Sequence, residues 1–436
     1  MLKAGFARLD ATPPLGTDLS GYFYRRQAKG VLDPLYINAV AIENGDEKIV
    51  LMAIDYIGIK LDCNVTIRKM IEERTGVPSD HIMIAALHQH TSPRVTSKTE
   101  LTSLRDENFK NVLFRKFVDA AVMAIDDLKD AVMSTAAREV DEPIAFVRRY
   151  FTKEDGVQTN PSTTKYTLTG RCAEADNTMR HVRFAREGAN DIAIINFSTH
   201  PDVVSGYYIT ADWPGFTRKY FEEDIGGVSS LFFTGCQGDS NHVDFFKPKE
   251  ERIKNGSGYE HAKFMGRTVA NAAKAVWNET TEATDAGIFA ENVVLYNKTN
   301  LEGVDQYDKY KAWYADYEAK RLDYHPHITE LAYASRIIRL RTAPVFHPVP
   351  LTVLGVGSVA FVGFGGEAFT AYGAAMRKLV PEKFVVCAVC ANGYEGYFPN
   401  QEAFEQGGYE AKGSLFTPTL EKEIIEAADG IFKKHN

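Results

Sequence analysis

Ile82-Met83-Ile84-Ala85-Ala86-Leu87-His88-Gln89-His90-Thr91-Ser92-Pro93 is the stretch that decides how the rest of the chain is read. Six apolar residues in a row, with no polar face, predict a strand buried on both sides and feeding a loop. Two histidines follow at a spacing of two. Along an extended chain, residues i and i+2 point to one face. His88 and His90 are therefore expected to converge on one object at the C-terminal end of the strand, the edge where open α/β sheets keep their ligands. A loop histidine can equally be hydrogen-bonded to backbone, so a metal or acid–base site requires partners from elsewhere in the chain.

Outward from this strand the pattern alternates. Residues 39–43 and 48–54 flank Asn44-Gly45-Asp46 and predict a hairpin that ends at Asp55, a carboxylate at a strand terminus. Residues 64–75 predict a helix with Gly76 as its C-cap and Pro78 beyond it. Phe114, Phe117, Ala121 and Ile125 recur at helical spacing and predict an amphipathic helix over 108–131. A second hairpin, 182–185 with 191–197, delivers Ser198-Thr199-His200-Pro201. Helices are expected over 213–223 and 259–280. Between them a short strand, 229–233, runs into Thr234-Gly235-Cys236-Gln237-Gly238-Asp239-Ser240-Asn241-His242. Residues 306–321 predict a Tyr-rich, charged surface helix. A third hairpin, 351–356 with 359–364, empties into Gly365-Gly366-Glu367 and a helix over 368–379. A strand over 384–390 and a last helix over 420–433 complete the chain. The sequence carries no repeat, linker or boundary, so the expected fold class is α/β, mixed β-sheets with flanking helices, in one domain over 1–436.

Composition narrows the function. The 436 residues are 44% hydrophobic and 25% charged, as in ordinary soluble globular proteins. A net charge of −8 without any Lys/Arg block argues against nucleic acid as a partner. The N-terminus has no apolar h-region, and no apolar run reaches membrane-spanning length. The expectation is a cytoplasmic protein with no stable membrane association. Five scattered cysteines, an odd number, suit a reducing compartment. Cys387-x-x-Cys390 lies inside an apolar run and reads as core packing.

Four strand ends now carry polar groups into loops: His88 with His90, His200, Asp239 through His242, and Glu367. Two or three histidines with a carboxylate are the usual ligands of a catalytic zinc, which keeps one position open for water. Zinc lowers the pKa of that water to about 7 and polarises a carbonyl. Taken singly, Glu367 would be a helix N-terminal carboxylate and His200-Pro201 a turn. The chain lacks His-Glu-x-x-His and Gly-x-Ser-x-Gly, so neither the zincin helix nor a serine elbow is present.

The order of these pieces resembles the catalytic domain of the neutral/alkaline non-lysosomal ceramidase family. The likeness rests on Gly5-Phe6-Ala7-Arg8-Leu9-Asp10-Ala11-Thr12-Pro13-Pro14, on His88-Gln89-His90-Thr91-Ser92-Pro93, on His200-Pro201, on Gly366-Glu367, and on Tyr394-x-x-Tyr397 with Tyr409-Glu410-Ala411. It runs from about Gly5 to Phe416. The family consists of zinc-dependent amidases. The resemblance implies Zn2+ held by His88, His200, Glu367 and Tyr397. It implies that His90 contacts substrate or the metal-bound water, and that Tyr409 and an arginine stabilise the oxyanion. That arginine is Arg148, with Arg149 its adjacent alternative.

The chain departs from the family in three ways. Asn241 stands where the family has a serine, and Ser240 sits one residue early. Asp202 adds an acid after His200-Pro201. The C-terminal β-sandwich domain of ceramidases is not expected. Asp202, Asp239, Ser240, Asn241 and His242 are therefore the expected substrate-binding residues, and the expected substrate is a polar small molecule. The reading is a zinc-dependent hydrolase that cleaves an amide bond with a metal-activated water. A metal-dependent ester or sugar-derivative hydrolase is the alternative in the same site. A non-catalytic ligand-binding protein on the same fold is the alternative of another class. Oligomeric state is not legible.

Overall fold

The computed structural model describes residues 1–97, 103–284 and 287–435. Eight strands build the larger sheet: β1 (Leu2–Asp10), β2 (Tyr36–Asn44), β3 (Glu47–Ile54), β4 (Ile82–Ala86), β5 (Lys129–Glu139), β6 (Thr178–Arg186), β7 (Asp191–Phe197) and β8 (Val228–Thr234). Their order is β8-β7-β6-β5-β1-β2-β3-β4, and Thr281–Glu282 pairs with β5 from outside this path. The halves join where β1 meets β5 through Lys3↔Asp130 and Ala4↔Lys129. A second sheet holds β9 (Ile288–Lys298), β10 (Phe346–Val356), β11 (Val359–Phe364) and β12 (Phe384–Ala388).

β4 behaves as its continuous apolar run predicts. Ile82, Ile84 and Ala86 enter one core, which also holds Leu351 and Val362 of the second sheet. Met83, Ala85 and Leu87 enter another, shared with Ile192, Ile194 and Phe232 of β7 and β8. The two halves of the larger sheet therefore lie face to face, and both faces of β4 are buried. Gly5 is required where β1 crosses the helix α2 introduced below, because a Cβ there would stand 2.0 Å from the Ala124 carbonyl oxygen.

One local plan occurs three times, although the sequence carries no repeat. A hairpin is followed by a helix, and the helix returns the chain to a strand parallel to the hairpin's second member. The helices are α1 (Leu61–Thr75), α3 (Asp212–Ile225) and α4 (Thr370–Leu379), with α2 (Glu107–Asp126) packed on β1 and β2. The units are β2-β3-α1-β4, β6-β7-α3-β8 and β10-β11-α4-β12, and each last pair is parallel. Their C-terminal ends are tied together. Thr234 Oγ1 donates to Leu87 O (2.8 Å), Val389 N to Thr234 O (3.0 Å), and Asn196 Nδ2 to Cys387 O (2.8 Å).

Several boundaries differ from the sequence reading. α2 stops at Asp126 rather than at 131, because residues 131–139 pair along their whole length with β6. The Asp127 carboxylate fixes this junction, accepting from Phe6 N (2.9 Å) and Arg186 Nη1 (2.6 Å). The helix from Tyr259 ends at Ala275. Gly76 caps α1 in the left-handed region (φ 75°), as expected. Among the described residues the five cysteines are free, and Cys387 and Cys390 are buried.

Asp55, at the end of β3, forms a bidentate pair with Arg218 of α3 (2.7 and 2.6 Å). Both side chains are shielded from water, at 0% and 4% exposure. Removing one partner leaves the other charge buried and unpaired. Arg218→Ala is expected to lower unfolding stability by about 3–5 kcal/mol, read as a reduced midpoint in urea with an unchanged m-value.

Candidate metal centre

The strand β4 ends at Ala86, and His88 takes a left-handed conformation with φ 70°. His88 and His90 are thus loop residues, and strand alternation does not align them. They converge all the same, with Nε2 atoms 3.4 Å apart. His88 Nδ1 is 2.9 Å from Ile57 O. A carbonyl only accepts, so Nδ1 carries the proton and Nε2 is left with its lone pair. His200, just past β7, repeats this. Its Nδ1 lies 2.8 Å from Gln237 O and 2.7 Å from Ser240 O.

Glu367 follows β11 and completes the cluster. Its Oε2 is 3.1 Å from His88 Nε2 and 3.2 Å from His200 Nε2. Burial opposes charge on this carboxyl, but His88 and His200, when they carry a proton at Nε2, outweigh it and hold the group well below the usual carboxylate range. Burial and the nearby Arg148 push His200 down to about 4. Burial, with His88 and His200 close by, holds His90 well below the ordinary imidazole value. Ligand atoms of His88, His90 and His200 all lie within 4.8 Å of one another. A tetrahedral site with bonds of about 2.0–2.2 Å has edges of roughly 3.3–3.6 Å. Glu367 lies 3.1 and 3.2 Å from His88 and His200, slightly inside that range, and the 3.4 Å between His88 and His90 falls within it. Imidazole nitrogens with one carboxylate are a donor set that suits zinc.

Tyr397 is brought beside Glu367 by a short parallel ladder, Glu367↔Tyr397 and Ala368↔Phe398. Its ring lies 6.4 Å from that of His200 and 5.4 Å from that of Tyr409. Arg148 stands over both tyrosines, 5.3 Å from the Tyr397 ring centre and 5.7 Å from that of Tyr409. Arg149 turns instead to Gly407 O (2.8 Å) and the Phe369 ring. Of the two arginines, Arg148 faces the tyrosines.

The family model described as neutral/alkaline non-lysosomal ceramidase, N-terminal, matches residues 2–250, more than half of the chain. The chain belongs to that family. It is a hydrolase, and the reaction of the family is hydrolysis of the ceramide amide. Among solved structures, the crystal structure of neutral ceramidase from Pseudomonas aeruginosa is similar at TM-score 0.73 and 15% identity, over 99% of this chain and 75% of that one. A ceramidase complexed with C2 is similar at TM-score 0.74 and 14% identity, with the same coverage. At these identities the likeness is one of fold, and it extends past the family match to Glu367 and Tyr397.

The ceramidase-like loops place the expected substrate-binding residues unequally. Asp239 Oδ1 accepts from Thr370 N (2.8 Å) and Thr370 Oγ1 (2.7 Å), at the start of α4. Ser240 is buried, with Oγ 3.3 Å from Ser198 O. Asn241 Nδ2 donates to Asn160 Oδ1 (2.8 Å). His242 lines a separate cleft of about 480 Å³ with His261. Asp202 is the one drawn to the centre, 3.3 Å from His90 Nδ1. Tyr22 joins it there, donating to Asp202 Oδ1 (2.5 Å). Gly21 makes room for His90, since a Cβ on it would lie 2.6 Å from the imidazole Cγ.

Three residues near the centre are given no role by the sequence reading: Tyr22, Arg26 and Glu410. Arg26 holds the loop, donating to Ser20 O (2.6 Å) and His90 O (2.7 Å). Glu410 is fully buried and accepts from Arg148 Nε (2.8 Å), Arg149 Nη1 (3.2 Å) and Thr159 Oγ1 (2.8 Å). Its place inside Tyr409-Glu410-Ala411 was the available signal. Burial would raise the Glu410 carboxyl, but Arg148 and Arg149 hold it below its ordinary value. A depressed folded-state pKa contributes stability above the unfolded value, about 4.3, and that contribution is lost as pH falls through the folded value. Glu410→Gln is expected to destabilise the fold by about 3–5 kcal/mol at pH 7, with the gap from wild type shrinking in denaturation series run below about pH 4.

Proposed function

We propose that the chain is a zinc-dependent hydrolase of a polar small-molecule amide, acting as one catalytic domain in the cytoplasm. The observation that carries this reading is the approach of His88 Nε2 and His200 Nε2 to one oxygen of Glu367 (3.1 and 3.2 Å), with both Nδ1 atoms committed to carbonyls. His88, His200, Glu367 and Tyr397 would hold the ion. Zinc bound there would activate a water near neutral pH and polarise the scissile carbonyl. His90, uncharged at neutral pH and beside His88, is placed to accept a proton at Nε2. Arg148 supplies a fixed positive charge over the Tyr409 ring, and the guanidinium and the phenol together suit an oxygen that becomes negative. Glu410 keeps that guanidinium in place.

One observation supports a polar substrate and another, the free cysteines, a cytoplasmic setting. Asp202, Tyr22 and His90 bring polar groups together at the centre, and polar groups that lose water without gaining a partner penalise an apolar ligand. The cysteines are free, as a reducing compartment would keep them. No described helix is long and apolar enough to cross a membrane.

Elemental analysis of the purified protein should find about one zinc per chain, held at the tetrahedral site described above, and His200→Ala should lose it. Tight zinc retention by that variant would transfer the ligand role to His90. Ser240→Ala should keep substantial activity, because in this reading water, not the Ser240 hydroxyl, would be the nucleophile. Irreversible inactivation by a serine-directed acylating reagent would oppose that. With zinc present, micellar long-chain ceramide should be cleaved with kcat/KM below about 10⁴ M⁻¹s⁻¹, the low end for efficient enzymes. A higher value would make ceramide itself the substrate.

A further inference from the structure

We propose that Asp202 selects the substrate by accepting a hydrogen bond from a hydroxyl or N–H group near the scissile amide, an inference that rests on the amide-hydrolase reading. The two oxygens of this carboxylate have different surroundings. Oδ1 accepts from the Tyr22 hydroxyl (2.5 Å) and lies 3.3 Å from His90 Nδ1. Oδ2 has no hydrogen-bond partner among the described residues. The Asp202 side chain is 30% exposed, whereas those of His90, Glu367, His88 and His200 are at 10% or below. It is thus a more accessible acceptor than Glu367 and stands beside three enclosed imidazoles.

The acceptor is also held rigidly. Tyr22 stacks on Tyr24 at 5.8 Å and lies under the Arg26 guanidinium at 4.1 Å. On the other side of Asp202, Val203 N and Val204 N donate to Asp212 Oδ2 (3.0 and 2.9 Å). Pro201 O accepts from His90 N (3.2 Å). A fixed acceptor next to the reacting bond favours a ligand that brings a donor, and disfavours the analogue that lacks it.

Three amides test this: N-ethylacetamide, N-(2-hydroxyethyl)acetamide and N-ethyl-2-hydroxyacetamide. They share the scissile bond and differ by one hydroxyl, placed on the amine or the acyl side. The zinc-loaded wild type should prefer one hydroxylated amide by about tenfold or more in kcat/KM, the worth of a hydrogen bond to a charged group. In Asp202→Ala that preference should fall to near unity, and in Asp202→Asn it should survive in part. Any effect of Asp202 on the orientation of His90 lowers all three rates and cancels in the ratio. A wild-type ratio near unity, or one that persists in Asp202→Ala, overturns the proposal. If no amide is cleaved, the hydrolase reading fails, and saturation-transfer NMR on the zinc-free protein still decides the role of Asp202. There the hydroxylated amide must show stronger contact than N-ethylacetamide, and the difference must vanish in Asp202→Ala. Equal signals overturn it.

Discussion

Everything at the centre depends on where two imidazole protons sit. Ile57 O fixes the proton of His88 on Nδ1, and Gln237 O with Ser240 O fixes that of His200. Both Nε2 lone pairs then face inward beside the Glu367 carboxylate. The carbonyls that impose this belong to loops leaving β3 and β8, so the tautomers are properties of the sheet. Asp55 connects the two levels. Its side chain grips Arg218, its backbone oxygen accepts from Gln89 Nε2, and it lies two residues before Ile57.

A second constraint comes from buried charge. Arg148 and Arg149 are adjacent in sequence and share one carboxylate, Glu410, which is fully enclosed. Such a cluster is costly to desolvate, and its worth lies more in fixed geometry than in net stability. Here it points one guanidinium at Tyr397 and Tyr409 and the other at Gly407 and Phe369. A planar, permanently charged group held this way gives the tyrosines a directional neighbour that a lysine would not supply.

Much of this was legible in the sequence where local pattern and burial coincide. β4 was readable because both its faces are buried, which leaves an unbroken apolar run. His88, His200 and Glu367 were readable because each closes such a run. Tyr397 and Arg148 came through family resemblance alone, since neither follows a strand that marks it. Glu410 and Tyr22 were missed because their partners are far away in the chain; Glu410 is 262 residues from Arg148. The end of α2 was misjudged because helical spacing continues into residues that a sheet ladder claims. β9 escaped notice because most of it is only half buried and lacks a clean alternation.

The threefold plan of hairpin, helix and parallel strand also has a kinetic side. His200 and Glu367 are 167 residues apart, and each comes from a different unit. No fragment containing a single unit holds the whole donor set, and contacts of such separation form late, after the chain has paid the entropy of closing long loops. An ion held there would then report completed folding: a nascent or broken chain could offer it only part of the donor set, and the whole set exists only in the finished molecule.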